Sequence, residues 1–85
     1  MNISKYEQRV LHVLAQGGQI RFDRADNGKV RDITCFTRDG HILADCTLPV
    51  FEKLKKRRFI RSLKSRPYRI TRKGLKSVRA QLDNR

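Results

Sequence analysis

Tryptophan is absent from this chain, and only eight of its 85 residues are acidic. With no tryptophan and 38% hydrophobic residues, any core is thin and lies under a highly charged surface. The length makes a single domain, residues 1–85. A domain of this size buries only about 60–65% of the surface its unfolded chain exposes, so modest stability is expected. No apolar run approaches the roughly 20 residues needed to span a bilayer. The opening Met1-Asn2-Ile3-Ser4-Lys5 lacks the apolar stretch of a secretory leader. A cytoplasmic protein with no membrane partner is expected. The two cysteines, Cys35 and Cys46, show neither a CxxC nor a Cys/His metal spacing. They read as two small buried thiols in a reducing compartment, with no metal and no cofactor.

Catalytic constellations are equally scarce. There is no Ser/His/Asp set in a recognisable context, no paired carboxylates and no phosphate-cradling glycine loop. Gly17-Gly18 follows a helical pattern instead of preceding one, which makes it a C-cap. His12 and His41 could form an acid–base pair for RNA cleavage. His12, between Leu11 and Val13, reads better as a residue on the surface or core edge of a helix. No catalytic residue is assigned, a non-enzyme is expected, and a ribonuclease is the least favoured reading.

What the chain has is positive charge, placed very unevenly. The net charge is +13, and the segment from Thr47 to Arg85 holds fourteen Lys or Arg against two acids, Glu52 and Asp83. The first 46 residues carry seven bases and six acids. Such a balance in a folded segment presents a basic face that seeks phosphates or an acidic protein surface. Repulsion among the bases lowers stability at low salt, and a bound polyanion or a second copy would relieve it. A monomer or weak homodimer is expected, with Ile20, Phe22, Phe36 and Ile42 forming a neutral face in need of cover.

Ser4-Lys5-Tyr6-Glu7 is a capping box. Tyr6, Val10, Val13 and Leu14 follow at helical spacing, widened by Leu11, and Gly17-Gly18 closes a helix over about residues 5–16. Gln19 to Phe22 alternates like a strand, Asn27-Gly28 is a hairpin signal, and Val30 to Thr37 is the return strand. Arg38-Asp39-Gly40 turns the chain into a third short strand, His41 to Ala44. Thr47 caps a second helix with Pro49 in its first turn and Val50, Phe51 and Leu54 inward. Phe59 to Leu63 and Tyr68 to Ile70 are strands about a turn at 64–67, a tip without glycine. Thr71 caps a last helix whose inner face is Leu75, Val78 and Leu82, and Asp83-Asn84-Arg85 frays.

The expected fold is α+β, in the order α-β-β-β-α-β-β-α. A basic helix, a hairpin with a basic tip and a further helix resemble the second half of a winged-helix domain. A three-stranded antiparallel meander stands in place of the usual second helix, so the domain is a winged-helix-like variant. Lys53, Lys56 and Arg57 share a helical face by their spacing. Arg61 and Lys64 extend the charge along the hairpin, with Arg66 at its tip. Arg72 and Lys73 sit in the first turn of the last helix, where cations oppose the helix dipole and invite a neutralising partner. These eight residues form the candidate surface for nucleic acid or an acidic partner.

Four blocks of residues carry a resemblance to a known family. They are Leu11-His12-Val13-Leu14-Ala15-Gln16-Gly17-Gly18, Leu43-Ala44-Asp45-Cys46-Thr47-Leu48, Pro67-Tyr68-Arg69-Ile70 and Val78-Arg79-Ala80-Gln81-Leu82-Asp83-Asn84-Arg85. The chain resembles, end to end, the YjhX family of small bacterial proteins. The resemblance implies a toxin of a toxin–antitoxin pair that inhibits DNA topoisomerase I, with an antitoxin protein as a further partner. It assigns no functional residues.

Overall fold

The computed structural model describes residues 3–83, with side chains described as far as Val78. The expected positions of Leu82 and of the fraying Asp83-Asn84-Arg85 therefore lie outside what is described of side chains and of the terminus. The elements are α1 (Lys5–Ala15), β1 (Gln19–Arg24), β2 (Val30–Phe36), β3 (Ile42–Leu43), α2 (Leu48–Lys56), β4 (Ile60–Arg61), β5 (Arg69–Ile70) and α3 (Arg72–Asp83). This is a small α+β domain with three helices and antiparallel sheet.

The Ser4 capping box forms as its residues require, the Glu7 amide donating to Ser4 Oγ at 3.1 Å and the Ser4 amide to Glu7 Oε1 at 3.4 Å. The inward stripe of α1 differs from the expected one. Glu7, Val10, Leu11 and Leu14 are buried, while Tyr6 is 52% exposed. The capping bond turns Glu7 inward, and Tyr6, one position earlier, is rotated out to solvent. The helix ends in a Schellman motif: Gly17 (φ 105°) donates to Leu14 O at 3.1 Å, and Gly18 to Val13 O at 3.2 Å.

β1, β2 and β3 form an antiparallel meander. Asn27-Gly28 makes the first turn, with Gly28 at φ 84° and the Gly28 amide donating to Ala25 O at 2.9 Å. Gly40, at φ 90°, makes the second. β4 and β5 form a separate two-stranded ribbon, pairing Ile60 with Ile70 and Arg61 with Arg69. The ribbon joins the meander at one rung, where Ile20 and Tyr68 exchange both backbone hydrogen bonds, at 3.0 and 2.8 Å.

The core gathers α1, α2, β1 and the ribbon around Leu11, Ile20, Phe51, Leu54, Phe59 and Ile60. Tyr68 is buried at its centre, edge-on to Phe51 (4.9 Å between centroids) and to Phe22 (5.2 Å). Edge-to-face pairs of this kind add about 0.5–1.5 kcal/mol beyond area burial. The expected uncovered neutral face does not form. Ile20 lies fully in the core, and Phe22 and Phe36 are half-buried beneath the guanidiniums of Arg24 (5.1 Å) and Arg21 (5.5 Å). Of the four residues, only Ile42 is largely exposed.

Candidate functional site

Helix α2 begins after Thr47, which has N-cap backbone geometry but makes no side-chain capping bond. The helix ends in a second Schellman motif: Arg58 donates to Lys55 O and Phe59 to Leu54 O, both at 3.0 Å. The left-handed position of that motif is held by Arg58 (φ 63°), where glycine is usual. Thr71 then ties this turn to α3. Its hydroxyl donates to Arg58 O at 2.8 Å and accepts from the Gly74 amide at 3.1 Å, while its amide donates to Phe59 O at 2.9 Å. Gly74 has no room for a side chain, because a Cβ there would press on the Phe59 carbonyl and come within 2.7 Å of Ile70 Cγ1. The start of α3 is thus locked against the end of α2 and the base of the ribbon.

Strand alternation divides the ribbon's charges between two faces. Ile60 is buried and Ile70 half-buried toward the core, which sends Arg61 and Arg69 outward. An outer cleft of about 600 Å³, reaching both faces of β5, is lined by Arg61, Arg66, Arg69 and Arg72, with Leu63, Pro67 and the half-buried Ile70 as an apolar wall. A second cleft, of about 560 Å³, carries Lys55, Arg58, Arg61, Arg72 and Lys73. No carboxylate lines either one. The tip is a turn closed by the Arg66 amide on Leu63 O at 3.0 Å, with Lys64 (φ 53°) and Ser65 (φ 63°) both left-handed. Positive φ at both central residues is the I′ pattern, which is why the tip closes tightly without glycine.

The eight expected residues are divided by the fold. Arg61, Arg66, Arg72 and Lys73 come together around the ribbon, and Lys64 stands at its exposed tip. Lys53 and Lys56 lie apart on the outer side of α2 beside Glu52. Arg57 does not share their face. It is turned toward the buried Glu7, Nε to Oε2 at 3.9 Å, so a carboxylate of the N-terminal half engages one of the eight. Glu7 Oε2 has no hydrogen bond among the described residues, and Arg57 is the cation that faces it. The other ion pairs among the described residues, Arg9 with Asp45 and Arg31 with Asp32, stay within the N-terminal half. Lys73 also covers the Phe59 ring, at 5.7 Å.

Three cations of the clefts were missed by helical spacing: Lys55, Arg58 and Arg69. Arg69 was detectable from strand alternation once paired with Arg61. Arg58 required recognition of a left-handed helix terminus with no glycine to announce it.

The histidines remain apart from this surface. His12 is exposed and lies 3.5 Å from Gln16 Nε2, and the His41 amide donates to Thr37 Oγ1. Cys35 and Cys46 are buried and unbridged. The Cys46 thiol donates to Cys35 and holds it below the usual thiol range, while that same bond and burial push Cys46 up. Among the described residues, no three His, Cys, Asp or Glu side chains converge to hold a metal ion, and no helix is long and apolar enough to cross a membrane.

The architecture and surface define a class, small basic α+β domains that carry their charge on a β-ribbon and its flanking helices. The chain belongs to a family, YjhX_toxin, described as "Putative toxin of bacterial toxin-antitoxin pair", whose model matches residues 1–85. It is 69% identical to a UPF0386 protein of Beijerinckia indica and 65% identical to one of Ruegeria sp. (strain TM1040), each over all of both chains. It is 59% identical to a UPF0386 protein of Caulobacter vibrioides, covering all of this chain and 93% of that one. No solved structure matches.

Proposed function

We propose that this protein is a toxin that inhibits DNA topoisomerase I without catalysing a reaction, by seating its basic C-terminal surface on the enzyme and/or on the enzyme's DNA. The observation that carries the proposal is the pair of cationic clefts around the ribbon, with no lining carboxylate to neutralise them. Toxin–antitoxin family membership supplies the toxin half of the reading and an antitoxin as second partner. An antitoxin that silences this surface would present carboxylates to it. The deciding experiment is relaxation of supercoiled DNA by topoisomerase I in the presence of the purified protein. Inhibition at a fixed ratio of protein to enzyme, unaffected by added competitor DNA, is the expected result for docking on the enzyme. Inhibition that disappears as competitor DNA is added places the target on the DNA, and no inhibition at any ratio overturns the proposal.

A second reading, a winged-helix nucleic-acid-binding module, is favoured by the succession of basic α2, β4–β5 ribbon and α3. In that reading the ribbon is the wing. About six to eight phosphate contacts give a slope of log affinity against log salt near −5 to −7. Replacing Lys53 and Lys56 together by alanine flattens it if α2 enters the groove. An unchanged slope excludes α2 as the reading helix.

A further inference from the structure

We propose that the outer cleft of the ribbon is a binding site for the unpaired nucleotides of a single-stranded nucleic acid. Phosphates would lie on Arg61, Arg66, Arg69 and Arg72, and bases against Leu63, Pro67 and Ile70. The proposal deepens the polyanion reading above and rests on it.

Four observations converge on this cleft. Its cations are all arginines. A guanidinium binds phosphate through two parallel hydrogen bonds and stacks its plane on a base, and lysine does neither. One of the two rungs of the ribbon is Arg61 opposite Arg69. Like charges directly across a strand pair destabilise it, and among the described residues neither has a carboxylate partner. Leu63 stands 58% exposed beside these arginines, a large apolar group open to solvent. An unstacked base is a flat apolar surface of the right kind to cover it. Finally, Arg61 and Arg72 line both clefts, so the outer one continues into Lys73, Arg58 and Lys55. A track of cations suits a chain of evenly spaced phosphates. A duplex keeps its bases stacked inside and offers Leu63 nothing, and an acidic peptide offers charge without flat rings.

The test uses the full chain and three fluorescein-labelled probes at roughly 50 mM salt: an oligothymidylate of about 15 nucleotides, a duplex of the same length and a polyglutamate peptide. Anisotropy is expected to show the single strand bound about tenfold tighter than the duplex, although the duplex has the denser charge. Arg69→Glu is expected to weaken single-strand binding by about tenfold or more and make its salt slope shallower by about 1. The same substitution is expected to raise the melting temperature, since it places opposite charges across the rung. A rise in stability with a loss of binding is a result that damage to the fold cannot produce. Leu63→Ala is expected to weaken the single strand several-fold and leave the duplex unchanged. Equal or tighter duplex binding, equal polyglutamate binding, or unchanged single-strand binding by Arg69→Glu each overturns the cleft. Relaxation assays separate the two proposals. Inhibition by a protein that does not prefer the single strand overturns the cleft and keeps the inhibitor, and strand binding without inhibition overturns the inhibitor and keeps the cleft.

Discussion

The nearly neutral first half and the basic second half of this domain turn the chain by different means. The first half puts glycine at its left-handed positions: Gly17 after α1, Gly28 and Gly40 in the meander. The second half puts Arg58, Lys64 and Ser65 at its own. The two helix ends make the contrast sharpest, because α1 and α2 close with the same pair of hydrogen bonds around a glycine in one case and an arginine in the other. A side chain in that conformation costs about 1–2 kcal/mol. Strain of this sort collects where side chains must be aimed at a partner. The basic half accepts it at two cationic positions, both on or beside the ribbon. The second half has one glycine, Gly74, and uses it for close approach to the Phe59 carbonyl.

That contrast can be broken or sharpened by substitution, with stability read from denaturant or thermal unfolding. A change of 1 kcal/mol moves the midpoint of a domain this size by about 4–8 °C. The largest effect is expected at Gly74→Ala, about 3 kcal/mol of destabilisation, because the new Cβ presses on backbone that Thr71 holds in place. A tolerated alanine would show that the junction of α3 with the ribbon is loose. Arg57→Ala is expected to cost about 2 kcal/mol, since it strips the buried Glu7 carboxylate of the cation facing it. A loss confined to partner binding, with stability unchanged, would return Arg57 to the docking surface. Gly17→Ala is expected to destabilise by about 1 kcal/mol or more, through the φ of 105° it forces on a side chain. Smallest and opposite in sign, Arg58→Gly is expected to stabilise the fold by a few tenths to about 1 kcal/mol and to weaken polyanion binding. If it destabilises instead, the side chain of Arg58 holds the fold together and strain is not what the position stores.

The order of elements was legible because its punctuation is local. A capping box, Gly-Gly, Asn-Gly, Pro in a first helical turn and Thr71 each act within a few residues of themselves. The parts that were not legible depend on long-range geometry. Tyr6 fits the apolar stripe of α1 by spacing, yet Glu7 takes the inward place, because the side chain that completes a cap and meets Arg57 across the core satisfies a constraint hydropathy does not encode. Thr47 has the right residue type and backbone for a cap, but its hydroxyl makes no capping bond. For the basic surface, counting charge located the half of the chain and missed the arrangement. Lys53, Lys56 and Arg57 are neighbours by helical spacing, but what Arg57 faces is decided by α1. Arg69 enters the cleft through its register with Arg61, and register depends on a turn whose Lys-Ser centre carries no glycine.

The attachment of the ribbon at a single rung has a consequence for biosynthesis. Ile20 and Tyr68 lie 48 residues apart in the chain, and the Ile20 N–H donates one and its carbonyl accepts the other of the two hydrogen bonds that anchor the ribbon to the meander. Closing a loop of that length depends on a surface ready to receive the incoming segment. A ribosome delivers the meander first, so the ribbon is translated onto a waiting strand. A chain shortened from its N-terminus would have every arginine of the cleft and no edge on which to assemble them.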